Sequence, residues 1–194
     1  MARGEQLDRQ ILDAVARTLY TEGINSTGVD RLSHAAGVSK RTIYQRFSSK
    51  DVLIERALDA MDEPVYELVI AAGRSAEAAG KPPREQILAV FEDLDRRAAD
   101  PGFRGCPFLN AGVELVDPSH PAHSVVRRHK DRVRRWFETT AAAGELDRPA
   151  ELAQELMLLY DGALIGGLVG SAPSNPMRTR HAARTLLDAA HREP

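Results

Sequence analysis

Six side chains within seven residues, Lys40, Arg41, Thr42, Tyr44, Gln45 and Arg46, carry hydrogen-bond donors, and no carboxylate stands among them. Ile43 and Phe47 fall four apart, so a helix over 40–47 buries those two and turns the donors outward. A face of this kind suits a polyanion. Other chemistry has fewer footholds. Glu114, Asp117 and His120 are possible acid–base groups, yet no nucleophile, base and orienter occur together, and no phosphate-binding glycine loop is present. Asp117, His120, His123 and His129 invite a metal reading. The pair His120 and His123 straddles a helix start, however, and Cys106, the single cysteine, has no second thiolate to join it. No catalytic residue, metal site or cofactor is therefore expected. Cys106 close to Arg104 leaves a redox-responsive device as an alternative.

The elements that position the donor face begin just before it. Val29, Leu32, Ala35 and Ala36 give residues 29–36 one apolar face, Gly37 supplies a left-handed stop, and Ser39 is placed to cap the helix that follows. Two short helices joined through residues 37–39 have the spacing of a helix-turn-helix. A helix over 5–22, with Leu7, Ile11, Ala14, Val15, Thr18 and Leu19 on one face, has the surface to cover them and stops at Gly23. Ser49 caps a fourth helix whose stripe runs to about Ala72. Pro64 falls inside it and predicts a kink or break near Asp62. Further helices are expected from about Pro83 to before residues 100–102, within 105–121, over 121–143, from Pro149 to about Gly170, and from Thr179 onward, with no period-two strand.

The chain has 194 residues and one cysteine, which excludes an internal disulfide and fits a reducing cytoplasm. The longest nearly apolar run, 156–170, contains Asp161 and is too short for a membrane span. No signal peptide is expected, because Arg3, Glu5, Asp8 and Arg9 interrupt any apolar run near the start. Residues 1–50 hold 8 Lys and Arg against 5 Asp and Glu, whereas residues 51–194 hold 18 against 23. A basic head on an acidic body is the balance of a nucleic-acid reader with a separate regulatory part.

The order of a helix, G-I-N-S-T-G-V and L-S-H-A-A-G-V-S-K-R-T-I-Y-Q-R-F-S-S-K-D-V-L closely resembles the TetR family of transcriptional regulators over roughly residues 7–55. G-C-P-F-L-N-A together with D-P-S-H-P is similar to a pattern of one subgroup. The resemblance implies an all-α fold, with a helix-turn-helix DNA-binding domain over 1–50 and a helical effector-binding and dimerisation domain over 51–194. It implies a homodimeric repressor of a palindromic double-stranded operator, released by a small-molecule effector. It also places the helix from Lys40 in the major groove. Arg41 and Gln45 are then the expected base readers, Arg41 reaching either a base or a phosphate, with Thr42 near a thymine methyl. Tyr44 and Lys50 match family positions on the DNA backbone. Many members have Ser or Thr where Gly28 stands, so Thr27 or Gly28 begins the second helix and meets a phosphate, and Thr27 with Asp30 can form a capping box. Arg46 can equally bind an acid within the domain.

A family effector site would lie among the helices between Met61 and Tyr160. Its candidates are Phe91, Phe108, Asn110, Glu114, Trp136, Phe137 and Tyr160, apolar walls with a few polar groups. Asn110 and Glu114, four apart on a short apolar helix, need partners if buried, and an effector is one possibility. Gly162, Gly166 and Gly170, beside Leu159 and Ala163, give a small-residue face that admits a second helix closely. With Ala183, Leu186 and Leu187 on the last helix, they form the expected dimer interface. The alternative function is a small-molecule carrier or enzyme that has kept a DNA-binding head.

Overall fold

The computed structural model describes residues 3–169 and 178–190. Over them the chain forms α1 (Arg3–Glu22), α2 (Val29–Ala36), α3 (Lys40–Arg46), α4 (Lys50–Ala78), α5 (Pro83–Ala98), α6 (Pro107–Glu114), α7 (Ala122–Ala143), α8 (Pro149–Leu168) and α9 (Arg178–Ala189), with no strand among the described residues. The ends obey local chemistry. Prolines open α5, α6 and α8, where a missing N–H costs nothing. Ser49 accepts the Val52 N–H at 3.1 Å and caps α4.

The break expected at Pro64 is absent, and α4 passes through it without interruption. Pro64 and Ala60, whose carbonyl loses its donor, are both exposed, so water can satisfy that carbonyl. The helix ends at Ala78, one and a half turns beyond the expected point.

Packing divides the chain into two compact units, Met1–Val65 with Cys106–His129, and Tyr66–Gly105 with Lys130–Pro194. The division at residue 50 followed function, whereas the packing gathers the head, the start of α4, α6 and the start of α7. In the first unit α1 packs on α2 and α2 on α3, around Ile11, Val15, Leu32, Ile43, Phe47 and Ile54, all buried. Phe108 of α6 stacks on the His129 ring with centroids 3.9 Å apart. His129 Nδ1 lies 2.8 Å from Asp62 Oδ1, and Arg128 Nε donates to Asp62 Oδ2 at 3.1 Å. Asp62 and His129 are both buried, and these partners offset the cost of taking the carboxylate out of water.

In the second unit α5, α8 and α9 pack on one another, and Phe91, Phe137 and Tyr160 fill the interior with ring centroids 5.7–6.2 Å apart. Ala183 and Leu187 belong to this core and are 0% exposed. They were expected at a dimer interface, but they are spent inside their own chain because α5 and α8 cover that face of α9. Leu186 is half-buried, and Gly170 lies outside the described residues. Trp136 packs against α4 at Gly73, where a Cβ would stand 2.5 Å from the indole Cη2 and Cζ2 and 3.2 Å from the Gln86 carbonyl oxygen. Asp95 reaches the start of α9, where it accepts from the Thr179 hydroxyl and, at 3.2 Å, from the Arg180 N–H.

Two consequences can be measured. Gly73→Ala is expected to lower stability by about 1–2 kcal/mol, the overpacking outweighing the gain in helix propensity; urea unfolding followed through the single tryptophan reads both the loss and the displaced indole. Burial, aided by nearby Glu92, raises the Asp95 carboxyl above its ordinary value despite its hydrogen bonds to Thr179 and Arg180. The native state therefore binds a proton more readily than the unfolded chain. The Asp95 charge costs stability above the raised value, and that cost vanishes as pH falls through it. Asp95→Asn, which keeps an acceptor, should raise the melting temperature at neutral pH, with the gain shrinking as pH falls through the raised value and gone below about pH 4, the ordinary carboxylate range.

Candidate nucleic-acid interface

The donor face depends on how α2 ends and α3 begins. Gly37 has φ 68°, a conformation that costs an L side chain, and lets Val38 N–H reach the Ser33 carbonyl at 3.0 Å and close the end of α2. Two residues later Ser39 accepts the Thr42 N–H at 3.0 Å and opens α3. Ile43, fully buried, and Phe47 anchor the inner side. Lys40, Arg41, Tyr44, Gln45 and Arg46 are left exposed on the outer side.

These side chains are not equally available. Arg41, Tyr44 and Gln45 have no hydrogen-bond or ion-pair partner among the described residues. Lys40 Nζ pairs with Asp30 at 3.0 Å, with both side chains largely in water. The Thr42 hydroxyl is 2.8 Å from that of Ser39 and half-buried, so it serves the cap. Arg46 is drawn to Asp8 and to the Gly4 carbonyl, bracing α3 on α1, which is the intradomain role the sequence left open.

Thr27 is corrected. It is 1% exposed and its hydroxyl donates to the Gly23 carbonyl, so it is closed to a phosphate and does not cap α2. The capping box is likewise absent, because Asp30 turns to Lys40. Gly28 is the N-cap, extended at φ −82° and ψ 163°, with no cap from a side chain and open space where a Cβ would stand. No side chain therefore occupies the cap of α2. Lys50 Nζ donates to the Ile24 carbonyl at 3.1 Å. An ammonium has three N–H donors, so this bond leaves two for a phosphate.

Glu114 also departs from its expected place. It was grouped with effector-binding side chains, but its Oε2 accepts the Ile24 N–H at 2.7 Å and the Asn25 N–H at 3.0 Å. Asn25 Nδ2 returns a bond of 2.9 Å to the Glu114 carbonyl, at the last residue of α6. Gly23 was the available signal: besides its φ of 87°, a Cβ there would come within 3.2 Å of Glu114 Oε2. Nothing in the sequence says which acid, ninety positions away, needs that space.

A sequence profile described as bacterial regulatory proteins, tetR family, matches residues 11–57. A solved structure described as a TetR transcriptional regulator of Streptomyces avermitilis is 35% identical, covers 95% of this chain and 97% of its own, and superposes with a TM-score of 0.83. The chain belongs to the TetR family of transcriptional regulators. The DNA-binding transcriptional repressor TetR of Mycobacteroides abscessus is similar over 98 residues at 36% identity, half of this chain and 47% of that protein. A structure of the TetR-family regulator CifR with double-strand operator DNA shares the fold at a TM-score of 0.75 and 17% identity, covering 93% of this chain and 95% of its own.

As a TetR-family member the protein is a DNA-binding transcriptional regulator, and its α2–turn–α3 segment lies within the matched region. The residues suggested for an effector are divided between the two units. Phe91, Trp136, Phe137 and Tyr160 cluster in the second unit, with Arg97 donating to the Tyr160 hydroxyl at 3.3 Å. Phe108, Asn110 and Glu114 belong to the first unit, where Phe108 is taken by His129. Asn110 and Glu114 line a crevice with Leu19, Tyr20, Leu58 and Met61, but its volume of about 10 Å³ is room for one water.

The histidines weighed for metal chemistry each have a partner within the protein. His120 Nδ1 accepts the Ala122 N–H at 3.2 Å, His123 Nε2 lies 3.0 Å from the Asp117 carbonyl, and His129 is held by Asp62. No group of three His, Cys, Asp or Glu side chains converges among the described residues. Cys106 is buried at the start of α6.

Proposed function

We propose that the protein is a homodimeric repressor, working in the cytoplasm, whose two α3 helices read half-sites of a palindromic operator and whose affinity is reduced by a small-molecule effector. The reading rests on one observation above the rest. Arg41, Tyr44 and Gln45 form an exposed, acid-free donor set on a helix fixed at both ends, while neighbouring donors are engaged within the protein. Arg41 and Gln45 read bases. Tyr44, Lys40, Lys50 and the open first turn at Gly28 hold the backbone and set register.

The second copy is proposed to meet α8. Leu158, Ile165 and Val169 are 76%, 39% and 65% exposed, and Gly162, in line with them, has open space where its side chain would be. Residues 158, 162, 165 and 169 follow helical spacing, so they form one apolar stripe suited to a self-complementary contact. Leu159, Ala163 and Gly166 are half-buried beside it and form its margin, with Leu186 from α9. The closely approached glycine of α8 is Gly167, against Phe103 and Ala98 of its own chain.

The effector is proposed to contact the cluster of Phe91, Trp136, Phe137 and Tyr160. A dimer binds both half-sites only at one separation, so an effector that favours another separation weakens the complex.

A gel shift with duplexes selected from a random pool tests the DNA side. Gln45→Ala should relax preference at one base pair, at a cost of about 1–3 kcal/mol there, while Lys50→Ala should weaken all duplexes alike and reduce the salt slope by about one. Equal loss of preference in both variants would refute this division of roles. Ile165→Asp should convert the dimer to monomer in sedimentation equilibrium, and an unchanged mass would remove α8 as the interface.

A further inference from the structure

We infer that Glu114 is a positioning residue for operator binding: its carboxylate fixes the turn after α1 and, through Ile24, the ammonium of Lys50. The inference rests on the DNA-binding reading of α3 and extends it to a residue far from that helix.

After α1 ends, the turn of residues 23–28 has backbone partners for the Gly23 and Thr27 N–H groups, at 3.0 Å and 3.4 Å, and needs others for those of Ile24 and Asn25. Two successive N–H groups, of Ile24 and Asn25, converge on one oxygen of Glu114. Converging backbone N–H groups hold free anions in the same way. The exchange is reciprocal, since the Asn25 amide satisfies the Glu114 carbonyl where α6 runs out. Gly23 leaves the volume that the carboxylate occupies. The same residue is then held from its other side, because the Ile24 carbonyl accepts from Lys50 Nζ. Ile24 is thus fixed at its N–H by an acid and at its C=O by a base, and Lys50 has one of its three donors set before any phosphate arrives. Lys50 starts α4 immediately after the Ser49 cap. Ordering a flexible ammonium beforehand removes part of the entropy cost of the contact it makes later.

The arrangement uses the position of one acceptor oxygen, so a neutral side chain of the same shape can substitute. Glu114→Gln keeps that acceptor, and Glu114→Ala removes it. Acetate supplied in solution can enter the space left by Glu114→Ala.

The test uses the full chain and a duplex selected from a random pool. Hydrogen exchange in the DNA-free protein should show the Ile24 and Asn25 amides protected in the wild type and in Glu114→Gln, and fast in Glu114→Ala. Duplex affinity should fall about tenfold in Glu114→Ala, equivalent to about 1.4 kcal/mol, stay near wild type in Glu114→Gln, and recover in Glu114→Ala when acetate replaces chloride at equal ionic strength. The losses from Glu114→Ala and Lys50→Ala should not add in the double variant, and each should lower the salt slope by about one. Additive losses, or a Glu114→Ala protein with fast amides and wild-type affinity, would overturn the inference, as would Glu114→Gln behaving like Glu114→Ala. Unprotected amides in the wild type would overturn it by themselves. A wild type with protected amides that binds no duplex would instead bring down the DNA reading beneath it.

Discussion

A helix of seven residues does not hold itself together in water, because the cost of nucleating it is never recovered over so few bonds. α3 is such a helix, and it carries the chemistry of the protein. Everything that keeps it formed lies outside its exposed face. Ser39 closes its first turn, Ile43 and Phe47 tie its inner side to the core of the head, and Arg46 ties its end to α1. Arg41, Tyr44 and Gln45 take no part in this support, which frees them to vary with the DNA they meet. Stability and recognition are therefore assigned to alternate sides of two helical turns.

The charge of the head looks different once its pairs are counted. Three of its cations, Arg31, Lys40 and Arg46, face Glu22, Asp30 and Asp8 respectively. These are surface pairs with small individual energies, but they hold side chains in place and narrow the positive charge without an acid partner near α3, among the described residues, to Arg41 and Lys50. The modest excess of basic residues in the first fifty understates how local the attraction is. A diffuse basic patch attracts any polyanion, whereas one free guanidinium beside a tyrosine and a glutamine sets conditions on where it lands.

Much of this was legible in the sequence, and the reasons follow from range. Periodicity revealed each helix, and the caps at Ser39 and Ser49 and the stop at Gly37 could be read because a cap acts across three or four residues. Arg41, Gln45 and Tyr44 were recognised as outward-facing for the same reason. Failures came where partners are distant or where two local rules compete. Thr27 had the right side chain for a cap, but burial took its hydroxyl to Gly23 and left the cap to a glycine. Pro64 removes one bond without breaking the helix, since the freed carbonyl lies on the wet side. Ala183 and Leu187 had the pattern of an interface, and periodicity cannot distinguish a partner chain from α5 and α8. Glu114 looked like an unpaired acid because its partners are backbone groups, which a sequence does not display.

Gly23 satisfies two demands at once. Its backbone conformation is one that side chains resist, and its missing Cβ leaves the space that the Glu114 carboxylate fills. Either demand alone would admit exceptions, such as an asparagine in a left-handed turn. Together they bind the histories of two distant sites. A lineage that replaced Glu114 with a small neutral residue would relax the steric part of the constraint at position 23, and one that first lost the glycine would have to shift the acid by a few tenths of an ångström and strain the turn. Among descendants of this chain the two positions should tend to change in concert.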